Sequence, residues 1–434
     1  MFALFIVVFA MIVTALLITS VFLLTRRKAR RTSHSEGVDT RVRAAMDARS
    51  DGRECGGVPE VRRTNDRWSD EAAARRSRCV DALSALPPVT VLKPLCGADD
   101  RLEDNLATFF GQTHPRHEIV FGVEGEADPA IPIVRRLRER FPHVRSCLVI
   151  HDGKRALNPK VSNLQAMMTH ARHDLVVISD SNIAVSERWL EDLTTEFVAD
   201  PELGLMTNLF VGTSEESLGA TLENLHLQGP VAGSLAFSSV ILPNAGAVGK
   251  SMLFSRSTFD SLGGFASVGS VLAEDYVMGR MFAEAGYKVR IASGTVDNVC
   301  TRASVSRFLG RQLRWSLIRS RVMPLSYPFE PLASPMLPAF VAPFAGPLAA
   351  ELLLIGVALT LLRDGLQWLR LRGPSGLLAA LPLGPIKELA LLGVWAVAPF
   401  ASHVSWRQKR FRVASGTRLY ADRPMGSPAR LECE

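Results

Sequence analysis

The sequence predicts an α/β domain with a parallel, doubly wound sheet, tied to a membrane by apolar helices at both ends. Three observations predict it. From Pro88 onward, short apolar runs alternate with stretches of helical periodicity. Residues 1–25 carry no charged side chain. Two further long apolar stretches lie in the last quarter of the 434-residue chain.

The N-terminal stretch, MFALFIVVFAMIVTALLITSVFLLT, is long enough to span a hydrocarbon core and has no basic region before it. RRKARR (26–31) follows at once, so this end is expected on the cytoplasmic side. Residues 336–362 and 376–404 are each long enough to span. Both contain prolines, and either could begin as an interfacial or re-entrant piece. Two spans would bring the basic tail WRQKRFR (406–412) back to the cytoplasm. The expected product is an integral membrane protein whose α/β domain faces the cytoplasm.

Net charge is +7 and hydrophobic content is 47%. That combination suits attachment to an anionic membrane face. No zinc spacing, RNP-like motif or helix-turn-helix pattern is present, so no nucleic-acid partner is expected. The six cysteines form no CxxC pair and read as ordinary thiols of a reducing compartment.

Four regions result. Residues 1–25 form the first membrane helix. Residues 26–87, rich in Arg, Ala, Ser, Asp and Glu, read as a basic, largely disordered linker. Residues 88–325 form the α/β domain, and 326–434 a membrane region of about two helices with the tail.

Within the domain, VTVLKPL (89–95), EIVFGVE (118–124), RSCLVIHD (145–152) and LVVISD (175–180) read as four strands. RLEDNLATFFGQ (101–112), DPAIPIVRRLRERF (128–141) and VSNLQAMMTHA (161–171) read as the helices between them. Right-handed crossovers place every strand C-terminus on one rim. That rim gathers Lys93, Asp128, Lys160 and Asp180, two cations and two carboxylates. This is an inventory for a nucleoside diphosphate with a metal ion. Neither GxGxxG nor GxxxxGK[ST] occurs, which argues against a dinucleotide dehydrogenase or a P-loop enzyme. The uncharged run 229–249 contains glycines and prolines and reads as buried strands and loops rather than a span. His226 just before it reads as structural.

Asp180 ends an uninterrupted apolar strand, VVISD, with Ser181 and Asn182 behind it. A carboxylate at such a tip lies where open α/β sheets place ligands, although a turn or cap is its ordinary role. Asp128 precedes Pro129 and also suits a helix N-cap. Lys93 ends a buried strand, an odd place for an unpartnered charge. Arg311, Arg314 and Trp315 share one helix face. Membrane-surface anchoring is the plain alternative for that face, strongest for Arg319 and Arg321.

In order, Asp128, the Asp180–Ser181–Asn182 turn, the Glu274–Asp275 pair and RQLRW (311–315) resemble the D, DxD, ED, (Q/R)xxRW series of lipid-acceptor and processive GT-A glycosyltransferases. KPLCGADDRLEDNLATFF (93–110), DPAI (128–131), NPKVSNL (158–164), SDSNI (179–183), LAEDY (272–276) and WRQKRFRV (406–413) narrow the resemblance to the ceramide glucosyltransferase family, family 21. The resemblance implies a membrane-bound, inverting enzyme that moves a hexose from a UDP-sugar, UDP-glucose first, to a ceramide-like lipid hydroxyl. It implies Asp180 and Asn182 as ligands of Mg²⁺ or Mn²⁺, an oxygen-preferring ion. Asn182 departs from the family pattern, since an amide brings no charge. It implies Lys93, Asp128, Lys160 and Asp180 as donor-binding residues. Asp275, with Glu274 beside it, is implied as general base, and Arg311, Arg314 and Trp315 as attendants of the leaving diphosphate.

Three alternatives remain. A bacterial branch would move N-acetylglucosamine from its UDP-sugar to a hopanoid. A polysaccharide synthase shares the motif series but needs more spans. A membrane-tethered binding scaffold would lack activity.

Overall fold

The computed structural model describes residues 2–25, 86–241, 244, 246–406 and 409–421. The expected linker therefore lies almost wholly outside the described residues. So does the last part of the tail.

Eight strands form one sheet in the order β3-β2-β1-β4-β7-β6-β8-β5. They are β1 (Val89–Pro94), β2 (His117–Glu124), β3 (Arg145–His151), β4 (Leu175–Ser179), β5 (Ile183–Ala184), β6 (Leu203–Thr213), β7 (Ser251–Ser255) and β8 (Lys288–Val299). The first four are parallel, as expected. The sheet then turns mixed, because β7 runs antiparallel to both β4 and β6. Strand order reverses between β1 and β4, and open α/β sheets place ligands in the crevice at such a switch point. Lys93 and Asp180 belong to the two strand ends that border it.

The alternation in each strand builds two cores. Val91, Ile119 and Val177 face one helical layer. Leu92, Val120 and Ile178 face the other. Each such side chain, fully buried, contributes roughly 1.5–3 kcal/mol, and the central strands β1 and β4 are buried at every position while the edge strand β3 is not. The helix Leu102–Phe110 inserts Phe109 and Phe110 into the first core. The helix Pro159–Met168 covers the second, its N-terminus capped by Asn158 Oδ1, which accepts from the amides of Lys160 and Val161.

The run 229–249 corrects the sequence reading. It begins in a π-turn over Leu227–Val231 and continues as the helix Ala232–Ile241. The glycines serve close packing here. A Cβ on Gly229 would lie 2.4 Å from Asp364 Oδ1.

Among the described residues, three helices are long and apolar enough to cross a membrane: Phe2–Thr25, Gly346–Arg372 and Leu383–Phe400. The second starts later and ends later than 336–362. The sequence reading stopped it at Arg363, but the helix Ala349–Arg372 runs straight through Arg363 and Asp364. Both are buried in a cluster with Lys387 and Glu388. Arg363 bonds Asp364 and Glu388 at 2.7 Å, and Lys387 bonds Asp364 at 2.8 Å. Ser334 adds a hydroxyl to Glu388 at 2.7 Å. Two cations and two carboxylates cancel, and this is the condition under which charge persists in an apolar setting.

The first two membrane-type helices run parallel. Ile6 and Ala10 pack with Leu337, and Leu359 joins them. Gln367 bonds the carbonyl of Leu17, and Arg370 bonds Thr25. Arg372 then pairs with Glu215 of the sheet domain at 2.9 Å. Both helices thus end against that domain. The chain returns to it a third time through a small sheet, β9 (His403–Trp406), β10 (Lys409–Val413) and β11 (Leu419–Ala421). Leu419 donates its amide to Ser270, and Leu272 to Thr417.

Candidate active site

The crevice at the switch point opens into a cavity of about 910 Å³. Its polar end is built on a chain of buried charges. Asp180 follows β4 and presents both carboxylate oxygens. Oδ1 meets Lys160 Nζ at 2.9 Å and Oδ2 meets Lys250 Nζ at 3.1 Å. Burial opposes charge on Asp180, but the two ammonium groups outweigh it and hold its pKa well below the usual carboxylate range.

Lys160 stands in the first turn of the helix Pro159–Met168. It bridges Asp180 to Glu274 Oε1 at 3.0 Å and also reaches the carbonyl of Gly249 at 3.3 Å. Burial works against this ammonium, yet Asp180, Glu274 and Asp275 together raise its pKa above the ordinary lysine value. Asn158, the cap of the same helix, donates to Glu274 Oε2 at 3.3 Å and to the carbonyl of Val271 at 2.8 Å. Glu274 is thereby fully engaged.

Asp275, its neighbour, opens the helix Glu274–Glu284. Its Oδ2 accepts from the amide of Gly249 at 2.7 Å and its Oδ1 from that of Tyr276 at 2.8 Å. Among the described residues, no lysine bonds it directly. Burial and the Glu274 charge push its pKa up to about 6, against Lys160 and the two amides. Of the acidic pair, Glu274 is bonded to the Lys160 ammonium, whereas Asp275 accepts only backbone amides and keeps unused lone pairs. The geometry therefore distinguishes two residues that spacing alone left equivalent. Gly249 makes this approach possible, since a Cβ there would lie 2.9 Å from Lys160 Nζ and 3.1 Å from Asp275 Oδ2.

Arg314 and Trp315 face the cavity from the helix Val305–Val322. Burial, then the nearby Arg311, lower the Arg314 pKa. Arg311 is drawn to Glu223 at 2.9 Å, and Gln312 bonds the same carboxylate. Trp315 packs beside His226, their ring centroids 6.4 Å apart. His226 is buried against that ring and Phe308 and stands in the cavity wall.

Two predicted donor residues lie outside the cavity wall. Lys93 is fully buried beneath Asp180, donating to its backbone carbonyl at 2.6 Å and to Ser179 Oγ at 3.3 Å. Its ammonium also stands 3.8 Å above the Phe109 ring. Burial pulls its pKa well below the ordinary lysine value, with Asp180 opposing. Asp128 accepts from the amides of Gly97 and Ala130, so it caps a helix and holds the Cys96–Gly97 turn. Both side chains shape the rim from behind.

Asn182 turns its Oδ1 to Lys250 at 3.1 Å while its Nδ2 donates to Asn298. Asp180 Oδ2 and Asn182 Oδ1 therefore converge on one cation position. No group of three or more His, Cys, Asp or Glu side chains suited to a metal occurs among the described residues. Two protein oxygens suit Mg²⁺ or Mn²⁺ when a diphosphate supplies others. Sequence reasoning missed Lys250, Glu223 and Asn158. A lysine directly before the buried strand SMLFS was the available signal for the first; a capping Asn before Pro159 was the signal for the last.

The cavity's other end is apolar. Leu17, Leu235, Phe340, Leu391, Leu392 and Trp395 line it. Most come from the membrane-type helices and the chain that leads into them. The described cysteines, Cys96, Cys147 and Cys300, form no disulfide.

The sequence model of glycosyl transferase family 21 matches residues 64–419. Ceramide glucosyltransferase 3 of Caenorhabditis elegans is 29% identical over 249 residues, 57% of this chain and 54% of that protein. The chain thus spans about half the length of this nematode relative. Ceramide glucosyltransferase of Komagataella phaffii is 36% identical over 101 residues, 22% of this chain and 20% of that protein. Among solved structures, the mannosyltransferase PcManGT of Pyrobaculum calidifontis, in complex with GDP-Man and Mn²⁺, aligns with a TM-score of 0.40 and 18% identity, over 91% of this chain and 99% of that one.

Proposed function

Because the chain belongs to glycosyl transferase family 21, we propose that it is a membrane-bound, inverting glycosyltransferase that moves glucose from UDP-glucose to the hydroxyl of a ceramide-like lipid. One observation carries this reading. A single cavity joins the Asp180–Lys160–Asp275 charges to an apolar wall formed largely by membrane-type helices. A charged donor and a lipid acceptor need such a two-natured space.

Lys160 and Lys250 hold the donor diphosphate near Asp180, and Arg314 meets its developing charge from the opposite wall. Asp180 and Asn182 would hold a divalent cation there, which neutralises the leaving diphosphate when bound. Asp275 takes the proton of the attacking hydroxyl. A single base on the acceptor side and direct displacement invert the anomeric centre, so an α-linked donor yields a β-glycoside. Lys93 and Asp128 support the donor site without facing the cavity. Both parallel helices end at the catalytic domain. The basic run 26–31 follows the first, so the domain is assigned to the cytoplasmic face.

The test is a donor and acceptor screen on the detergent-purified protein, read by mass of the lipid product. UDP-glucose, UDP-N-acetylglucosamine and UDP-galactose are each offered with ceramide or a hopanoid. Glucosylceramide is the expected product. Transfer to another lipid would correct the substrate, and long sugar chains without a glycolipid would overturn the reading.

A further inference from the structure

We infer that Lys250 is a tethered cation that occupies the divalent-metal position and leaves it when a nucleoside diphosphate enters. The inference rests on the transferase reading for the class of its ligand, but its test requires no transfer.

The two oxygens expected to hold a metal are both taken by one ammonium, at 3.1 Å each. Asn182 is fixed in this orientation by its bond to Asn298, so its oxygen points toward Lys250 and its nitrogen away. Mg²⁺ and Mn²⁺ approach oxygen ligands much more closely than an ammonium does, at roughly 2.0–2.2 Å. Neither can bind this oxygen pair while the ammonium remains, because two cations would then share the same two acceptors.

Of the two lysines on Asp180, Lys250 is the one built to move. Lys160 is held by Asp180, Glu274 and Gly249 and lies on a helix. Lys250 sits in a turn before β7, bonded to Asp180 and Asn182 alone among described partners. Its side chain is 16% exposed against 9% for Lys160, and it borders the cavity. An arriving diphosphate offers the displaced ammonium new oxygens and offers the metal its missing ligands. Metal and nucleotide should therefore bind with positive coupling, and by linkage each raises the other's affinity equally. Without nucleotide, Lys250 keeps Asp180 neutralised, so the site holds metal only weakly.

The experiment uses the full chain in detergent and measures Mn²⁺ binding by the EPR signal of the free ion. Wild type, Lys250→Met and Lys250→Ala are compared with and without saturating UDP. Wild type should bind Mn²⁺ weakly alone and about tenfold or more tightly with UDP. Both variants should bind Mn²⁺ about tenfold more tightly than wild type without UDP, and the effect of UDP should shrink. Asp180→Asn should abolish binding in each background. Equal Mn²⁺ affinity in wild type with and without UDP overturns the inference, even if neither variant can be purified. So do unchanged variants, or binding that survives Asp180→Asn. Intact Mn²⁺–UDP coupling with no sugar transfer would sink only the transferase reading.

Discussion

Replacing Asp275 by Asn tests the assignment of the base. The substitution keeps shape and removes the proton acceptor. The buried network should survive it, because Lys160 keeps Asp180 and Glu274 as partners. The Asn carbonyl can accept from Gly249 as Asp275 does at 2.7 Å. Its amide nitrogen then faces the Tyr276 amide, so one hydrogen bond is lost, at about 1 kcal/mol. A general base contributes roughly 10²–10⁴-fold. At about 1.36 kcal/mol per factor of ten, that is ~3–5 kcal/mol of barrier, well above the structural loss. The pH profile supplies a second signature. Burial and Glu274 raise the Asp275 pKa to about 6, and the base acts only when deprotonated. Wild-type kcat/KM should rise with pH through about 6 and level off above it. Stability has the opposite sign. The folded state holds this proton more firmly than the unfolded chain does, so Asp275 favours folding most at low pH. That contribution declines as pH rises from 3.8, the ordinary value, to about 6. Turnover measured from pH 5 to 9 with melting curves in parallel would check both, on the order of the range implied by the shift. An Asp275→Asn enzyme that keeps more than about a tenth of kcat, against the loss expected of a base, or keeps the acid limb, refutes the assignment.

Other expectations follow from the same geometry. Gly249→Ala should reduce transfer by roughly 10²-fold, since it displaces Lys160 and Asp275 together; circular dichroism should show the fold retained. Lys160→Met leaves Asp180 and Glu274 buried without their shared cation and should lower stability by roughly 3–5 kcal/mol, read as a falling melting temperature. Glu388→Gln should destabilise the membrane region by a similar amount, roughly 3–5 kcal/mol, because the two buried cations Arg363 and Lys387 are left with Asp364 as their one carboxylate in the cluster. Replacing Arg363, Asp364, Lys387 and Glu388 together by apolar residues of similar volume should restore most of that loss in the same melting assay.

Much of the catalytic domain was legible in the sequence because its central strands are buried on both faces. Uninterrupted runs such as LVVIS have no competing reading at that length. The mixed half of the sheet was not legible. β7 and β8 depend on pairing across long sequence separations, which no local pattern encodes. The helix Ala232–Ile241 was misread because Gly233 and the glycines and prolines on either side of it suggested loops, whereas close packing against the membrane helices required small residues. The site showed the same division. Asp180 and the Glu274–Asp275 pair were visible as charges ending or starting elements. The hidden part was which charges face each other: Arg311 is committed to Glu223, Asp128 to a cap, and Lys93 to the underside of the site. Lys250 became visible only when β7 was laid beside β4.

The Arg363–Asp364–Lys387–Glu388 cluster also bears on how the chain enters its membrane. The helix Ala349–Arg372 emerges from the ribosome carrying two adjacent charges, while the first residue that completes the cluster arrives 23 positions after Asp364, within the next helix. Neither segment presents a fully satisfied surface to lipid alone. The pair is therefore expected to integrate as one hairpin rather than as two successive insertions; once residues 1–25 are removed, so that the helix Phe2–Thr25 cannot anchor the chain, a nascent chain stopped before Leu383 should remain extractable by alkali where one extending past Phe400 does not.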